Sequence, residues 1–195
     1  MTGNLLITGR PGSGKTTLIR FLAERFAGCS PAGFYTLEVR TGGERVGFDL
    51  VSLAGDRRSF ARTGYPGHCR VGRYGVDIEG FEEFLASVPF FGPSVRLVII
   101  DEIGKMECCS GVFRRVVGEV LDVATPCVAT VAQRGVPGLD RLKTRADVRV
   151  VEVTRSNRDG LLPELEARVR RLVGAGPGGA GQGGNDRRKS DEEPK

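Results

Sequence analysis

The sequence predicts an α/β domain of three layers, α/β/α, with a mainly parallel sheet and an antiparallel hairpin extension. Three observations predict this class. Short apolar runs alternate along the 195 residues with segments whose apolar residues recur at helical spacing. A glycine-rich turn separates the first apolar run from the first helical segment. Two further strand-like runs are joined by TGGER, whose glycines suit a tight hairpin turn.

The elements follow in order from the N-terminal side. NLLIT is a strand, and the helix after the glycine-rich turn carries Leu18, Ile19, Leu22 and Phe26 on one face. FYTLEVR and VGFDLVSL form the hairpin. The next stretch, GDRRSFARTGYPGHCR, is polar and is interpreted as a connecting segment before a short strand in VGRYGVD. IEGFEEFLASV is then a helix.

The second half of the chain continues the alternation. RLVII is a buried strand, and a helix follows it with Val112, Phe113, Val116, Val117, Val120 and Leu121 at helical spacing. CVATVA is a strand, PGLDRLKTR a short helix, VRVVEV a strand, and LLPELEARVRRLVG an amphipathic helix. Strands that alternate with helices favour a parallel sheet, which binds ligands at the carboxyl ends of its strands.

Length and composition indicate one domain. We expect an ordered region of residues 1–173 and a disordered tail of residues 174–195, rich in glycine and then in mixed charge. No apolar run approaches the roughly 20 residues that span a bilayer, and no secretory signal pattern is present. The expectation is a cytoplasmic monomer without a membrane segment.

Cysteines and net charge limit the other classes of function. The five cysteines form no CxxC pair and have one histidine, His68, beside them, so reduced thiols are expected rather than disulfides or a zinc site. The net charge of +5 suits a polyanionic partner, and a nucleoside triphosphate is one. The arginines are scattered without interleaved aromatics, so nucleic acid is the less favoured partner but is not excluded.

The stretch GRPGSGKT matches the phosphate-binding pattern GxxxxGK[ST] between a strand and a helix. Its glycines let backbone amides point inward at a phosphate, and the helix dipole favours the anion. Lys15 is expected to reach the terminal phosphates and Thr16 to bind Mg²⁺. The nucleotide-binding residues expected here are Gly9, Arg10, Pro11, Gly12, Ser13, Gly14, Lys15 and Thr16.

The stretch RLVIIDEIGK supplies the complementary acids at the end of an apolar strand. Asp101 is expected to hold Mg²⁺ opposite Thr16, as acids at this position do in P-loop enzymes. Glu102 is expected to accept a proton from the attacking water, which makes it the general base.

Further side chains are candidates for contact with the nucleotide, and for each of them a purely structural or surface role is the alternative. Positive charge near the transferred phosphate is expected from one of Lys105, Arg10, Arg73 and Arg134. The turn that contains Asn157, Arg158 and Asp159 could meet a base or ribose, or serve only as a turn and helix cap.

The ordered succession TGRPGSGKTTL, GFYTLEVR, GGERVGFDLVSL, VGRYGVD, VIIDEIGKME and NRD resembles the thermophile-type P-loop nucleoside triphosphatases, the family that includes the cancer-related nucleoside triphosphatase. The resemblance implies a P-loop NTPase fold and Mg²⁺-dependent hydrolysis of several nucleoside triphosphates with little base discrimination. It also implies a second nucleotide-contacting segment that comprises Val98, Ile99, Ile100, Asp101, Glu102, Ile103, Gly104 and Lys105. Cys108 and Cys109 stand where this family usually has an apolar pair. We expect this difference to alter packing and to leave the chemistry intact.

The leading hypothesis is thus an Mg²⁺-dependent phosphohydrolase that removes the γ-phosphate of ATP, GTP, CTP and UTP or TTP. Lys15 and Glu102 are its expected catalytic residues. A nucleotide or small-metabolite kinase is one alternative, and its mobile lid would have to come from GDRRSFARTGYPGHCR. A nucleotide-gated module that binds RNA or a protein is the other.

Overall fold

The structure, a computed structural model, describes residues 3–174. The strands are β1 (Asn4–Thr8), β2 (Ala32–Thr41), β3 (Glu44–Ser52), β4 (Arg57–Thr63), β5 (Cys69–Val71), β6 (Tyr74–Val76), β7 (Val98–Ile103), β8 (Cys127–Val131) and β9 (Val148–Glu152). The α-helices are α1 (Lys15–Arg25), α2 (Ile78–Ser87), α3 (Gly111–Asp122), α4 (Leu139–Lys143) and α5 (Arg158–Gly174), and short 3₁₀ turns occupy Ala27–Cys29 and Glu107–Cys109. Gly174 still belongs to α5, and the rest of the predicted tail lies outside the described residues.

One sheet runs through the described part of the chain in the order β5-β6-β4-β3-β2-β7-β8-β1-β9. The strands from β2 through β7, β8 and β1 to β9 pair in parallel, whereas β2-β3, β3-β4, β4-β6 and β5-β6 pair antiparallel. The predicted α/β class and its mainly parallel core are therefore confirmed. Strand β8 lies between β1 and β7. The carboxyl ends of these three parallel strands therefore lie side by side at the same end of the sheet.

Helices cover both faces of the parallel core, which makes the three predicted layers. Successive side chains of a strand point to opposite faces. On one face Leu5 and Ile7 of β1 pack with residues of α1 and α5, and on the other face Leu6 packs with residues of α2 and α3. On this second face Phe34 of β2 is at the centre of the packing. Its ring centroid lies 5.7 to 6.2 Å from those of Phe81, Phe84 and Phe113.

The antiparallel extension is larger than the predicted hairpin. The polar stretch that the sequence analysis interpreted as a connecting segment contains β4 and the start of β5. Arg57 and Arg62 of β4 both pair with the buried carboxylate of Asp49 on β3, while Phe60 and Ala61 are buried. The pairing between β3 and β4 shifts register at a bulge, so buried and charged positions of β4 do not alternate regularly. For this reason the sequence of β4 lacks the alternation that would predict a strand.

The expectation of reduced thiols is wrong for two of the five cysteines. Cys69 on β5 and Cys109 in the 3₁₀ turn after β7 form a disulfide, with their Cα atoms 6.3 Å apart. They are separated by 40 residues in sequence, so spacing motifs carry no sign of the pair. Cys29, Cys108 and Cys127 are free. No helix within residues 3–174 is long and apolar enough to cross a membrane.

Candidate active site

The glycine-rich loop leads from the end of β1 to the start of α1, as predicted. Gly12 and Gly14 have φ angles of 73° and 98°, a left-handed region that favours glycine. Gly9 is required by space instead, since a Cβ there would overlap the carbonyl oxygen of Val153 and come within 2.7 Å of the Ser13 hydroxyl. The loop is therefore held tightly against the segment that leaves β9.

Lys15 is the first residue of α1, and its side chain turns back over the loop. It is 9% exposed, and its Nζ donates a hydrogen bond to the carbonyl oxygen of Gly9 at 3.2 Å. The same nitrogen lies 3.9 Å from Oε1 of Glu102, at the end of β7. The structure thus brings the two predicted catalytic side chains together, with the ammonium group between the loop and the acid.

Asp101 is buried at the end of β7 and fits the predicted metal site. Its Oδ1 accepts a 2.5 Å hydrogen bond from the hydroxyl of Thr130 on β8, while its Oδ2 is buried and has no hydrogen-bond partner of normal geometry within the described residues. Burial raises the pKa of Asp101, and hydrogen bonds from Thr130 and Thr16 and the charge of Lys15 oppose that rise. An unpartnered carboxylate oxygen beside a threonine hydroxyl is a donor set that suits Mg²⁺.

Glu102 follows Asp101 across a cis peptide bond and reaches the cavity. Burial raises the pKa of its carboxyl, the charge of Lys15 opposes the rise, and that of Asp101 adds to it. Its side chain remains 35% exposed, so water can reach it. A carboxylate whose pKa is moved upwards accepts a proton more readily, which suits the predicted general base.

A cavity of about 540 Å³ lies over the loop and the acids. The predicted nucleotide-binding residues that line this cavity are Gly9, Pro11, Lys15, Glu102, Gly104 and Lys105. Val98, Ile99, Ile100 and Ile103 do not line it, because they are buried in the sheet at 0 to 1% exposure. The residues of the second predicted segment that line the cavity are therefore Glu102, Gly104 and Lys105.

The opposite wall of the cavity was not predicted from the sequence. It consists of Thr36 on β2, Phe48 on β3 and Val71 on β5, all from the antiparallel extension or the strand that begins it. These side chains approach the phosphate loop only because the extension continues the sheet past β2. In the sequence these three residues stand in ordinary strand segments, and nothing in those segments indicates a binding site.

Glu107 is a third acid at this site, and it was not predicted from the sequence. It lines the cavity at 6% exposure, and a Cβ on Gly104 would stand 2.7 Å from its Oε2 and 3.6 Å from Cδ of Glu102. Burial raises the pKa of Glu107 to about 8; hydrogen bonds from the backbone at Glu107 and Gly104 oppose the rise, and the charges of Glu102 and Asp101 add to it. At neutral pH this acid is therefore protonated.

The four predicted cations separate into two groups. Lys105 and Arg134 line the cavity, and Lys105 packs against Gly135, where an added Cβ would lie 2.9 Å from its Nζ. Arg73 instead lies over the ring of Tyr74, with its guanidinium carbon 5.4 Å from the centroid, and donates to a carbonyl of β3. Arg10 is exposed and is not part of the cavity wall. His68 is an exposed loop residue.

The turn after β9 lies against the phosphate loop. Asn157 is used within the turn, since its Oδ1 accepts from the backbone of Thr154 at 2.8 Å and its Nδ2 donates to the carbonyl of Glu152 at 3.0 Å. Arg158 pairs with Asp159 at 2.8 Å and packs its stem on Gly14. Asn157 therefore has a structural role in this turn, and Arg158 lies against the phosphate loop.

Comparison with known proteins identifies relatives of the whole described domain. Residues 4–165 match a family model described as NTPase. The chain is 43% identical to the nucleoside-triphosphatase THEP1 of Thermotoga petrophila over 162 residues, 83% of this chain and 89% of that protein. It is 40% identical to the cancer-related nucleoside-triphosphatase of Homo sapiens over 183 residues, 85% of this chain and 95% of that protein.

Solved structures give the same relatives. The crystal structure of THEP1 from Aquifex aeolicus matches with a TM-score of 0.75 at 32% identity, covering 86% of this chain and 99% of that one. The solution structure of a human cancer-related nucleoside triphosphatase matches with a TM-score of 0.74 at 37% identity, covering 86% of this chain and 97% of that one.

Proposed function

Because the chain belongs to the NTPase family that these matches define, we propose that it is a nucleoside triphosphatase that uses Mg²⁺ and hydrolyses ATP, GTP, CTP and UTP or TTP with little discrimination of the base. The observation that carries the proposal is the contact of Lys15 with Glu102 over the phosphate loop. This arrangement puts a cation for the terminal phosphates and a base for water on the same side of the loop.

The residues divide the chemistry between them. The backbone of Gly9 to Gly14 binds the β- and γ-phosphates, and Lys15 neutralises charge on them. Thr16 and Asp101 would hold Mg²⁺, which would supply a further positive charge to stabilise the triphosphate. Thr130 keeps the Asp101 carboxylate turned toward that position through its hydrogen bond. Lys105 and Arg134 line the cavity and add positive charge around the γ-phosphate.

Glu102 performs the proton transfer. Its carboxylate accepts a proton from the attacking water as the oxygen bonds to the γ-phosphorus, and the bond to the β-γ bridging oxygen breaks. Inorganic phosphate and a nucleoside diphosphate are the products. Lys15 lies 3.9 Å from Glu102, and the negative charge of a triphosphate would draw the ammonium group from the acid toward the phosphates.

The test compares phosphate release from ATP, GTP, CTP and UTP by the wild type and by Glu102→Gln, each with Mg²⁺ and with EDTA in its place. We expect release from all four with Mg²⁺, loss of about 100-fold or more in the variant, and unchanged binding of a fluorescent ATP analogue. Full turnover by Glu102→Gln would refute the assignment of the base. Release only after addition of a phosphoryl acceptor would favour a kinase.

A further inference from the structure

The direction in which a nucleotide must lie follows from the order of the strands. The residues proposed to act on the γ-phosphate, Asp101 and Glu102, are at the end of β7, which lies on the β8 side of β1. Strand β9 lies on the opposite side of β1. A triphosphate held along the loop with its γ-phosphate toward β7 must therefore extend its ribose and base toward β9 and the turn that follows it.

Arg158 stands at that end of the loop. Its Cγ and Nη1 would lie 3.5 and 3.3 Å from a Cβ on Gly14, and its Cδ would overlap such an atom. Gly14 is the N-cap of α1, so the stem of Arg158 covers the point where the loop becomes helix. The turn before Arg158 is fixed by hydrogen bonds that join Asn157 to Thr154 and to the end of β9 at Glu152. The guanidinium group is thus held in place at the mouth of the loop.

We propose that the guanidinium plane of Arg158 stacks on the base of the bound nucleoside triphosphate and so makes this residue the base-binding determinant of the site. One edge of the guanidinium is occupied, because Nε donates to Asp159 at 2.8 Å, while the side chain as a whole remains 40% exposed. A planar cation binds the π-face of any base without reading its hydrogen-bonding edge. This proposal rests on the proposed function and supplies its physical basis, since stacking explains why the base is hardly discriminated.

The test separates base contacts from phosphate contacts by using a ligand that has no base. Binding of the β,γ-imido analogues of ATP and UTP and of inorganic tripolyphosphate is measured by calorimetry with Mg²⁺, in the wild type, Arg158→Ala, Arg158→Lys and Arg171→Ala. Arg171→Ala is the matched control, because it removes the same charge from an exposed position near the other end of α5.

We expect Arg158→Ala to weaken binding of the ATP analogue about 5- to 30-fold, binding of the UTP analogue less because its base is smaller, and binding of tripolyphosphate less than twofold. Arg158→Lys keeps the charge without the plane and should lose most of the same affinity. The control should bind all three ligands as the wild type does.

Equal weakening of tripolyphosphate binding would overturn the proposal, since Arg158 would then bind phosphate. Rescue by Arg158→Lys would overturn it in favour of a charge effect, and unchanged binding of both nucleotides by Arg158→Ala would remove the contact altogether. Turnover is measured separately. A wild type that releases no phosphate would contradict the proposed function, and the calorimetric result would still decide the role of Arg158.

Discussion

Replacing Glu107 by glutamine removes a buried acid from the wall of the cavity while keeping the size and shape of its side chain. Burial holds the pKa of this carboxyl at about 8 in the folded protein, against an ordinary value of 4.5. The folded state therefore keeps a proton on Glu107 through the whole interval in which the unfolded chain has lost it. In that interval the free energy of unfolding must fall as the pH rises.

The size of the effect follows from the linkage of one proton. Stability from a raised pKa is fully present below pH 4.5 and is lost as the pH rises toward 8, at about 1.4 kcal/mol per pH unit. Between pH 5.5 and 7.5 the wild type should lose roughly 2.7 kcal/mol relative to Glu107→Gln, whose amide does not titrate. Other titratable groups, including Glu102, are present in both proteins and largely cancel in the difference.

The assay is urea unfolding followed by circular dichroism at a series of pH values, because the chain has no tryptophan for fluorescence. EDTA is present and nucleotide is absent, so that neither ligand shifts the equilibrium. A difference between the two proteins that stays constant within about 0.5 kcal/mol from pH 5.5 to 7.5 would refute the reasoning, since Glu107 would then be ionised at neutral pH. Equal slopes of unfolding against urea are the control for unchanged compactness.

Three further predictions concern the loop, the sheet and the disulfide. Lys15→Ala should weaken binding of ATP at least about tenfold by calorimetry, because it removes the cation over the loop. Gly33→Ala should destabilise the fold by about 3 kcal/mol or more in urea unfolding, because its Cβ would overlap a carbonyl oxygen of β7 at a φ of 137°, whereas Gly42→Ala, in the open β2-β3 turn, should cost less. Without reductant, Cys69→Ser should expose one thiol more to a maleimide under denaturing conditions than the wild type does, and Cys108→Ser one fewer; one thiol fewer in Cys69→Ser than in the wild type would contradict the disulfide.

The parallel core could be predicted because its signals are local. NLLIT, RLVII and CVATVA are continuous apolar runs, as expected of strands that are buried on both faces. The helices between them show one apolar face each, and their capping residues agree, since the Asp77 and Ser110 side chains accept from the backbone of Gly80 and Phe113 at the starts of α2 and α3. Every one of these features is contained in a window of fewer than about 15 residues.

The extension and part of the site could not be predicted because they depend on contacts between distant segments. Strand β4 reads as polar because two of its arginines pair with Asp49 of β3, and an ion pair between strands leaves no mark in either segment alone. The burial of Glu107 depends on the turn at Gly104 and on the wall that β2, β3 and β5 supply. The packing of Arg158 on Gly14 brings together two residues that are far apart in the sequence.

The extension also bears on the choice between hydrolysis and transfer to another acceptor. A kinase excludes water while the phosphoryl group moves, usually by closing a mobile segment over the site. Most of the segment that the sequence offered for this purpose is β4, which is hydrogen-bonded between β3 and β6 and cannot close without breaking the sheet. The side chain of Glu102 is 35% exposed at the end of β7. Water can therefore reach Glu102 without any segment having to open, and this favours water over an acceptor that would have to compete with it.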